Sequence, residues 1–359
     1  MTTTLLVLEG DGIGPEISQA TVQVLQTADR CLGLNLRFEY ADIGLKALAA
    51  TGTTFPETVL AHARRVDGVV LGPVSHNDYP PVSQGGINPS GALRKQLDLY
   101  ANIRPARTRG GFTAHSDKLV DLVVVRENTE GFYADRNMFM GNGEFMPTED
   151  VALSVRKVTR QASLRIAESA FALAQQRRRQ VAVVHKANVL RISDGLFLEC
   201  TRQVAQRYPE VQCQEFIVDA MAALLVRDPS RFDVIVTTNM FGDILSDEAA
   251  ELSGSLGLAA SLNEGTHHAV AQAQHGSAPD IAGQDLANPA SLVGSAAMLL
   301  DWLARQGKGE AFARAGLCIE QALDATIAQP EGRTRDMGGP LGTAAFTQRV
   351  CEKLQVIAA

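Results

Sequence analysis

The chain contains 359 residues, of which 45% are hydrophobic and 20% are charged, and its formal net charge is −7 at pH 7. This length exceeds a single ordinary hydrophobic core and predicts two domains or one large α/β unit. The negative charge argues against a nucleic-acid partner, and no stretch approaches the roughly 18 apolar residues that a membrane span requires.

Five cysteines are scattered along the chain and form no CxxC pair. Such usage is typical of buried thiols in a reducing compartment and argues against a disulfide framework or a zinc site. The N-terminal segment has no basic region followed by a long apolar run, so no secretory signal is predicted. We therefore expect a cytoplasmic protein, or a protein of an organelle matrix.

The first hundred residues alternate between strand and helix patterns. Short apolar runs predict strands at residues 4–8, 37–40 and 66–71, and helical patterns occupy residues 43–50 and 56–65. This alternation predicts a mostly parallel sheet with helices on both faces.

A glycine-rich turn with the sequence GDGIGPE follows the first strand, at residues 10–16. It is similar to a dinucleotide-binding fingerprint, but the third glycine would fall at position 15, where Pro15 instead favours the start of a helix of about 15 residues. The sequence therefore predicts a turn that lines a cleft rather than a Rossmann phosphate loop.

Three arginines stand at the ends of predicted elements. Arg94 lies on a helix that turns into a strand ending at Arg104, and a second strand at residues 120–125 ends at Arg126. In a chain with negative net charge, this arrangement favours a guanidinium clamp for carboxylates. Three unrelated surface ion pairs are the alternative.

Residues 131–150 form an irregular stretch that is rich in Gly, Asn and Met and carries Phe139, Met140, Phe145 and Met146. This apolar surface is too large to be left in water. The stretch is therefore predicted to be an arm that packs on a second subunit.

Two further predicted strands end at charged residues. A helix at about residues 154–175 precedes a strand at residues 181–185 that ends at Lys186, and residues 216–218 lead into Asp219. A lysine at the end of a buried strand is either a functional ammonium or a surface group whose stem is buried.

The run at residues 232–236 predicts a buried strand that leads into a helix, with Thr238 or Asn239 as the helix cap. Asp243 and Asp247 stand four residues apart on one face of that helix and repel each other unless a cation lies between them. Mg²⁺ or Mn²⁺ suits two carboxylates. The alternative is a solvated acidic helix face.

A loop punctuated by glycine and proline occupies residues 275–283 and is followed by Asn288 and a helix. Its backbone can cradle a phosphate, His275 can stack on a base, and Asp280 can accept both hydroxyls of a ribose.

These motifs, taken in chain order, resemble those of the β-decarboxylating dehydrogenases, which include isocitrate, homoisocitrate, 3-isopropylmalate and tartrate/malate dehydrogenases. The matching segments cover nearly the whole chain and are GDGIGPE at 10–16, LRK at 93–95, RENTE at 126–130, HKAN at 185–188, NMFGDILSD at 239–247 and HGSAPD at 275–280. The resemblance implies a two-domain, non-Rossmann α/β fold with a central cleft and a dimerisation arm. Its cofactor-side domain would comprise residues 1–102 and 256–359, and its dimerisation and substrate domain residues 103–255.

The resemblance also implies a role for each matching side chain. The residues it places at the substrate are Asn88, Ser90, Arg94, Arg104, Arg126 and Asp219. Those it places at Mg²⁺ or Mn²⁺ are Asp243 and Asp247, together with Asp219 of the partner subunit. Tyr133 and Lys186 match the catalytic pair of the family, in which the lysine comes from the partner subunit. The resemblance therefore implies a homodimer with shared active sites. The cofactor residues are His275, Gly276, Ser277, Ala278, Asp280, Ile281 and Asn288.

The chemistry implied is oxidative decarboxylation of a 3-substituted (2R)-malate. Lys186 takes the proton of the C2 hydroxyl, hydride passes to the nicotinamide, and Tyr133 protonates C3 after CO₂ has left. Asp280 followed by Ile281 predicts NAD, because an acidic residue accepts the ribose hydroxyls and repels a 2′-phosphate. Relatives that use NADP carry Lys-Tyr at these positions.

The motifs RENTEG and HKANVLR, together with Asn88 and Ser90, are closer to the isocitrate and homoisocitrate branches than to the isopropylmalate branch. Polar groups suit a third carboxylate or a hydroxyl better than an alkyl group. The alternatives are 3-isopropylmalate, tartrate or D-malate as substrate, and a non-catalytic regulatory subunit. The presence of the full catalytic set argues against the regulatory subunit.

Overall fold

The computed structural model describes residues 2–112, 114–133 and 138–359. The strands in these ranges are β1 (Thr3–Leu8), β2 (Leu36–Tyr40), β3 (Gly68–Leu71), β4 (Ala101–Arg107), β5 (Asp121–Glu127), β6 (Glu144–Thr148), β7 (Val151–Ser154), β8 (Gln180–His185), β9 (Gln212–Ile217), β10 (Val234–Thr237), β11 (Leu262–Glu264) and β12 (Ala269–Gln272). The helices are α1 (Gly14–Leu32), α2 (Gly44–Thr51), α3 (Glu57–Ala63), α4 (Pro89–Gln96), α5 (Arg160–Gln175), α6 (Ser193–Ala205), α7 (Val218–Arg227), α8 (Asn239–Ser253), α9 (Ala290–Leu303), α10 (Glu310–Ile327) and α11 (Thr343–Ala358).

The chain forms two compact units, each of which is discontinuous in sequence. The first comprises Met1–Leu97, Arg109–Thr113 and Gly254–Ala359, and the second comprises Asp98–Thr108 and Ala114–Ser253. The roles assigned above to the two parts, cofactor side and dimer side, stay predictions.

The sheet of the first unit has the strand order β2-β1-β3-β12-β11. Its strands are parallel except for β11, which runs antiparallel to β12. The core of this unit is dominated by helices near the C-terminus of the chain, with Leu292, Leu299, Ile319 and Phe346 all essentially inaccessible to solvent. Helix α9 has one charged residue, the exposed Asp301, and most of its other residues are buried in this core.

The sheet of the second unit has the strand order β4-β5-β10-β8-β9. Alternate residues of its central strands point to opposite faces, so that Val123 and Val125 pack on one cluster and Leu122 and Val124 on another. Helices α5 and α6 contribute to the first cluster, and α7 and α8 contribute to the second. A strand covered on both faces reads as a continuous apolar run, which is what these segments show.

The four strands β5, β10, β8 and β9 of this sheet are parallel. Their carboxyl ends therefore lie at one edge, where ligands of α/β proteins generally bind. The residues that lie within two positions of these strand ends include Arg126, Lys186, Thr238 and Asp219. This edge positions the candidate site of the second unit.

Several boundaries differ from the sequence-based expectations. The helix expected from residue 154 begins only at Arg160, capped by the Thr159 side chain, because Val151–Ser154 form a strand. Arg104 does not end its strand but lies in the middle of β4, which pairs antiparallel with β5. The strand expected from residue 66 begins at Gly68.

The predicted arm at residues 131–150 contains the strand β6, which pairs antiparallel with β7 directly after the arm, so the arm is not wholly irregular. Residues 134–137 lie outside the described part. Phe139, Met140, Phe145 and Met146 are all exposed to solvent in the single chain. Packing of this arm on a second subunit stays a prediction.

The cysteines differ in burial. Cys200, Cys318 and Cys351 are buried as expected, but Cys31 and Cys213 are exposed, so the expectation of buried thiols is wrong for these two. Among the described residues, no helix combines the length and the apolar character needed to cross a membrane.

Candidate active site

The second unit holds a buried guanidinium at the end of β5. Arg126 is 1% exposed, and its Nε donates to Oδ1 of Asn239 at 2.9 Å. Its Nη1 donates to a carboxylate oxygen of Asp243, and its Nη2 donates to the Tyr133 hydroxyl at 2.5 Å. A planar fork of donors therefore fixes three side chains at once, which a lysine cannot do.

The close approach of α8 to this guanidinium explains Gly242. A Cβ at position 242 would lie 2.7 Å from both Cβ and Cγ of Arg126, a distance that side chains do not tolerate. The glycine therefore allows the helix to pass directly over the arginine.

A second buried guanidinium lies beside the first. Arg104 Nη1 is 3.1 Å from Oδ1 of Asp243 and 3.3 Å from Oδ1 of Asp247, and it also donates to the Ser246 hydroxyl at 2.8 Å. Burial, and then the positive charge of Arg126, lower the pKa of Arg104 to about 10. The two carboxylates, predicted to repel unless a cation lies between them, share this guanidinium.

Tyr133 completes this group of side chains. Its hydroxyl donates to Oδ2 of Asp243 at 3.0 Å and accepts from Arg126. The sequence placed Tyr133 only through a family resemblance, whereas the structure brings its hydroxyl directly to the carboxylate and the guanidinium.

Lys186 and Asp219 form a second pair at the same edge of the sheet. Lys186 follows β8, Asp219 lies in the first turn of α7, and Lys186 Nζ is 2.5 Å from Oδ1 of Asp219. The hydrogen bond from the ammonium lowers the pKa of Asp219. The sequence predicted that the strand continues through Val218 to Asp219. In the structure the strand ends at Ile217, and Val218 and Asp219 are the first two residues of α7.

The donor set of α8 fits a divalent cation. Asp243 and Asp247 are both substantially exposed, and one oxygen of each lies close to the same guanidinium nitrogen, Nη1 of Arg104. Exposed carboxylate oxygens with room for water are the ligands that Mg²⁺ and Mn²⁺ take. Among the described residues, no three His, Cys, Asp or Glu side chains cluster closely enough to hold a metal ion, so Asp219 of the same chain is not a third member of this group.

The expected caps of α8 have other partners. Thr238 Oγ1 accepts from Arg156 at 2.9 Å. Asn239 accepts from Arg126 and donates through Nδ2 to the carbonyl of Glu130 at 2.8 Å. Both side chains thus contact neighbouring segments, and the capping of α8 by one of them stays a prediction.

The first unit holds the loop that was predicted to bind a cofactor. The Ser277 carbonyl accepts from the Ile13 amide at 2.8 Å, and the Ser277 hydroxyl is 2.7 Å from that of Ser75. Gly12 has φ of 57°, and a Cβ there would lie 2.0 Å from the Ser277 carbonyl oxygen. The glycine-rich turn after β1 therefore supports this loop directly.

Asp11 holds the same turn in place and was not recognised from the sequence. Its buried carboxylate accepts from the amides of Leu45 at 2.8 Å and Ser75 at 3.0 Å, and from the hydroxyl of Tyr79. These partners are distant in sequence, so no local pattern identifies them. The only indication was the position of Asp11 inside a glycine-rich turn.

The loop at residues 275–281 offers groups that suit a nucleotide. Burial lowers the pKa of His275, whose Nδ1 lies 2.9 Å from the Gly276 carbonyl, while its buried Nε2 has no hydrogen-bond partner among the described residues. Such an orphaned nitrogen is one that a ligand can satisfy. Ala278 has φ of 36° and precedes the exposed Asp280 in a short 3₁₀ turn.

Ile281 and Asn288 have structural contacts of their own. Ile281 packs against the core of the first unit. Asn288 Oδ1 accepts from the Ala290 amide at 3.0 Å at the start of α9, and its Nδ2 donates to Asp336 at 2.9 Å.

Arg94 lies in the last turn of α4, in the first unit. Its Nη2 donates to Oε1 of Gln272 at 3.4 Å, and the same oxygen accepts from the buried Ser90 hydroxyl at 2.9 Å. Asn88 caps α4, since its Oδ1 accepts from the amides of Ser90 at 3.0 Å and Gly91 at 3.3 Å. Gln272, at the end of β12, belongs to no recognised motif and is a further polar residue of this group.

Comparison with known proteins places these groups in context. A family model described as isocitrate/isopropylmalate dehydrogenase matches residues 4–354. An isocitrate/homoisocitrate dehydrogenase of Thermus thermophilus is 42% identical over 357 residues, which cover 99% of both chains. A 3-isopropylmalate dehydrogenase of Archaeoglobus fulgidus is 38% identical over 351 residues, covering 98% of this chain and 99% of the relative.

A solved structure gives the same result for the fold. The crystal structure of isocitrate dehydrogenase from Methylococcus capsulatus aligns with a TM-score of 0.87 and 38% identity, covering 99% of this chain and all of the other. The predicted α/β fold and the resemblance stated from the motifs are therefore confirmed. The chain belongs to the isocitrate/isopropylmalate dehydrogenase family and is a dehydrogenase.

Proposed function

We propose that this dehydrogenase catalyses the NAD-dependent oxidative decarboxylation of a 3-substituted (2R)-malate of the isocitrate or homoisocitrate type. The observation that supports it is the group around Arg126, in which two buried guanidiniums, two exposed carboxylates and a tyrosine hydroxyl are linked through hydrogen bonds and ion pairs. Buried guanidiniums suit substrate carboxylates, and the aspartates suit a cation.

Arg104 and Arg126 bind the carboxylates of the malate part of the substrate in this proposal, with Arg94 as the third arginine. A guanidinium presents paired donors in the geometry of a carboxylate. Because Arg126 is already held by Asn239 and Tyr133, its donors are oriented before the substrate arrives, which reduces the entropic cost of binding.

Tyr133 and Lys186 move the protons. Lys186, as a neutral amine, would accept the proton of the C2 hydroxyl, and Tyr133 would donate a proton to C3 after CO₂ has left. Bound NAD would supply the acceptor for the hydride from C2. The Tyr133 hydroxyl already donates to Asp243, so its proton points toward the carboxylate side of the group. Asp219 Oδ1 lies 2.5 Å from Lys186 Nζ and so positions this nitrogen.

Asp243 and Asp247, with Asp219 of the partner subunit, would hold Mg²⁺ or Mn²⁺. When bound, such an ion makes the C2 alcohol more acidic and stabilises the negative charge that develops as CO₂ departs. Because Asp219 and Lys186 lie together on one chain, a second copy of the chain would bring both groups to the same site. The proposal therefore includes a homodimer with shared active sites.

The loop from His275 to Ile281 and Asn288 would bind NAD. Asp280 is exposed on this loop, where its negative charge disfavours a 2′-phosphate. The buried Nε2 of His275, which has no hydrogen-bond partner in the described part of the chain, supports a ligand there. We therefore expect much lower kcat/KM with NADP than with NAD.

The choice between substrates rests on polar groups near Arg94. Ser90 and Gln272 are hydrogen-bonded to each other, and burying such groups against an alkyl substituent leaves their other hydrogen-bonding capacity unmet. This favours a substituent with a carboxylate or hydroxyl over isopropyl. A 3-isopropylmalate, tartrate or D-malate dehydrogenase is the alternative within the family, and a non-catalytic regulatory subunit is the alternative outside catalysis.

The test is a panel of isocitrate, homoisocitrate, 3-isopropylmalate, D-malate and tartrate, each with NAD or NADP and Mn²⁺, scored by kcat/KM. We expect the highest value for isocitrate or homoisocitrate with NAD. Comparable values for isopropylmalate and isocitrate would contradict the polar pocket. Absence of turnover with every substrate would favour the regulatory subunit.

A further inference from the structure

A buried ion pair lies beside the candidate site and takes no part in the chemistry described above. Arg156, between β7 and α5, pairs through Nη1 with Oδ1 of Asp194 in the first turn of α6. The Asp194 side chain is 0% exposed and that of Arg156 is 8% exposed. A carboxylate removed this completely from water requires partners for both of its oxygens.

The second oxygen of Asp194 binds the backbone at the catalytic lysine. Oδ2 accepts from the amide of Lys186 at 2.5 Å. The carbonyl of Lys186 in turn accepts from the amides of Val189 and Leu190. The backbone that carries the ammonium is thus fixed on one side by a turn and on the other by a buried carboxylate.

Arg156 also contacts the segments that carry Tyr133 and Asp243. Its Nη2 donates to the Thr238 hydroxyl at 2.9 Å, directly before the helix that carries Asp243. Its guanidinium also lies over the rings of Phe132, at 5.8 Å, and Phe241, at 5.3 Å. Phe132 is the residue before Tyr133, so the pair contacts the segments of three catalytic side chains.

Stability alone does not explain such an arrangement. A buried ion pair is often no more stabilising than apolar residues of the same volume, because both charges lose their hydration. Unlike apolar residues, the pair forms directional hydrogen bonds, and these fix the amide of Lys186 and the hydroxyl of Thr238.

We propose that Arg156 and Asp194 are positioning residues that set Lys186 on one side and the Thr238 and Phe132 segments on the other. This rests on the proposed function, in which Lys186 and Tyr133 are the proton-transfer groups. In a homodimer with shared active sites, Lys186 would act in the active site of the partner subunit, whereas Tyr133 and Asp243 would act in the active site of their own chain. The Arg156–Asp194 pair would then connect parts of two active sites through one buried contact.

The test compares Asp194→Asn with a matched control at the opposite ends of the same strands. Asp233, also 0% exposed, accepts from Arg177 Nε at 2.7 Å and directly precedes β10. Asp233→Asn therefore removes a buried aspartate from an arginine pair without touching the carboxyl edge. Both variants are expected to lower Tm by similar amounts.

Asp194→Asn is expected to lower kcat by about 10- to 100-fold, the cost of a displacement of about 1 Å in a catalytic group, while KM for the hydroxy acid changes less than about threefold. Asp233→Asn keeps kcat within about twofold. Arg156→Lys, which keeps the charge, is expected to retain more activity than Arg156→Met. Equal kcat losses in Asp194→Asn and Asp233→Asn, or a kcat for Asp194→Asn within threefold of wild type, would overturn the proposal.

Hydrogen exchange separates this proposal from the proposed function. The amide of Lys186 is expected to lose protection in Asp194→Asn and to keep it in Asp233→Asn. If wild type turns over no substrate of the panel, the proposed function fails whatever the exchange shows. If wild type is active but Lys186 stays protected in Asp194→Asn, the positioning proposal fails alone.

Discussion

Replacement of Arg126 by lysine tests the geometry of the candidate site while keeping its charge. The guanidinium donates to three side chains through three different nitrogens, Asn239 through Nε, Asp243 through Nη1 and Tyr133 through Nη2. The lysine ammonium is one point on a shorter stem. It can reach one of these partners, and the other two lose their donor.

The magnitude follows from those two lost hydrogen bonds. A hydrogen bond from a charged group contributes about 1.5–3 kcal/mol, so two contribute about 3–6 kcal/mol. At 1.36 kcal/mol for each tenfold in rate, kcat/KM is expected to fall by about 10²- to 10⁴-fold. Because Tyr133 is then no longer oriented, we expect part of this loss in kcat as well as in KM.

The assay is steady-state kinetics on the preferred substrate of the panel, with circular dichroism and Tm as checks of folding. Arg109→Lys is the matched control. Arg109 is also buried, and it bridges Asp324 at 2.6 Å and Glu320 at 3.4 Å within the first unit. We expect Arg109→Lys to lower Tm and to leave kcat/KM within about threefold of wild type.

Two outcomes would refute the reasoning. If Arg126→Lys keeps kcat/KM within fivefold of wild type, charge alone suffices and the three-way fork has no catalytic consequence. If both lysine variants lose kcat/KM equally, the loss reports general destabilisation rather than the position of Arg126.

Three further predictions concern neighbouring residues. Gly242→Ala is expected to lower both Tm and kcat/KM, because its methyl group would stand 2.7 Å from two carbons of Arg126; wild-type kinetics in this variant would contradict the close packing. Mn²⁺ at 100 times its Kd is expected to stabilise the wild type by about 2.7 kcal/mol, and most of this gain should be absent from Asp247→Asn in a thermal-shift measurement. Lys186→Met is expected to raise the pKa of Asp219 measured by NMR, since the ammonium now lowers it. The stabilisation from this pair is present above the ordinary pKa of an aspartate and is lost as pH falls through the lowered value, so the variant should show a weaker dependence of Tm on acidic pH.

Sequence patterns predicted the placement of most candidate residues because that placement is local. The apolar run before Lys186 predicts a buried strand, and this places Lys186 directly after the strand. The four-residue spacing of Asp243 and Asp247 predicts that they share one face of a helix. Both features depend on residues within one or two turns of the position concerned. The structure agrees with them to within a residue or two.

Other features could not be predicted because their causes are distant in sequence. Arg104 was expected at a strand end, yet β4 continues to Arg107 because it pairs along its length with β5. Asp11 binds Ser75 and Tyr79, more than sixty residues away. Only the tertiary structure brings such groups together, and a single sequence carries no signal for them.

The charges of the candidate site balance within the chain itself. Arg104 and Arg126 are buried side by side, and burial with their mutual repulsion lowers the pKa of Arg104 to about 10. Asp243 and Asp247 supply two negative charges against these two positive ones. In the proposed function, a divalent cation offsets the two carboxylates of the malate part of the substrate, and Arg94 offsets the third carboxylate of isocitrate or homoisocitrate.

The malate part or the cation alone would leave two charges uncompensated beside the two buried guanidiniums, where Coulomb interactions are stronger than in bulk water. The proposed function therefore requires that the hydroxy acid and the cation favour each other's binding, a coupling that acts equally in both directions. This balance is also the reason for choosing lysine at position 126. A neutral residue at position 126 would change both the net charge of the site and its hydrogen bonds. Lysine keeps the charge and changes only the hydrogen bonds.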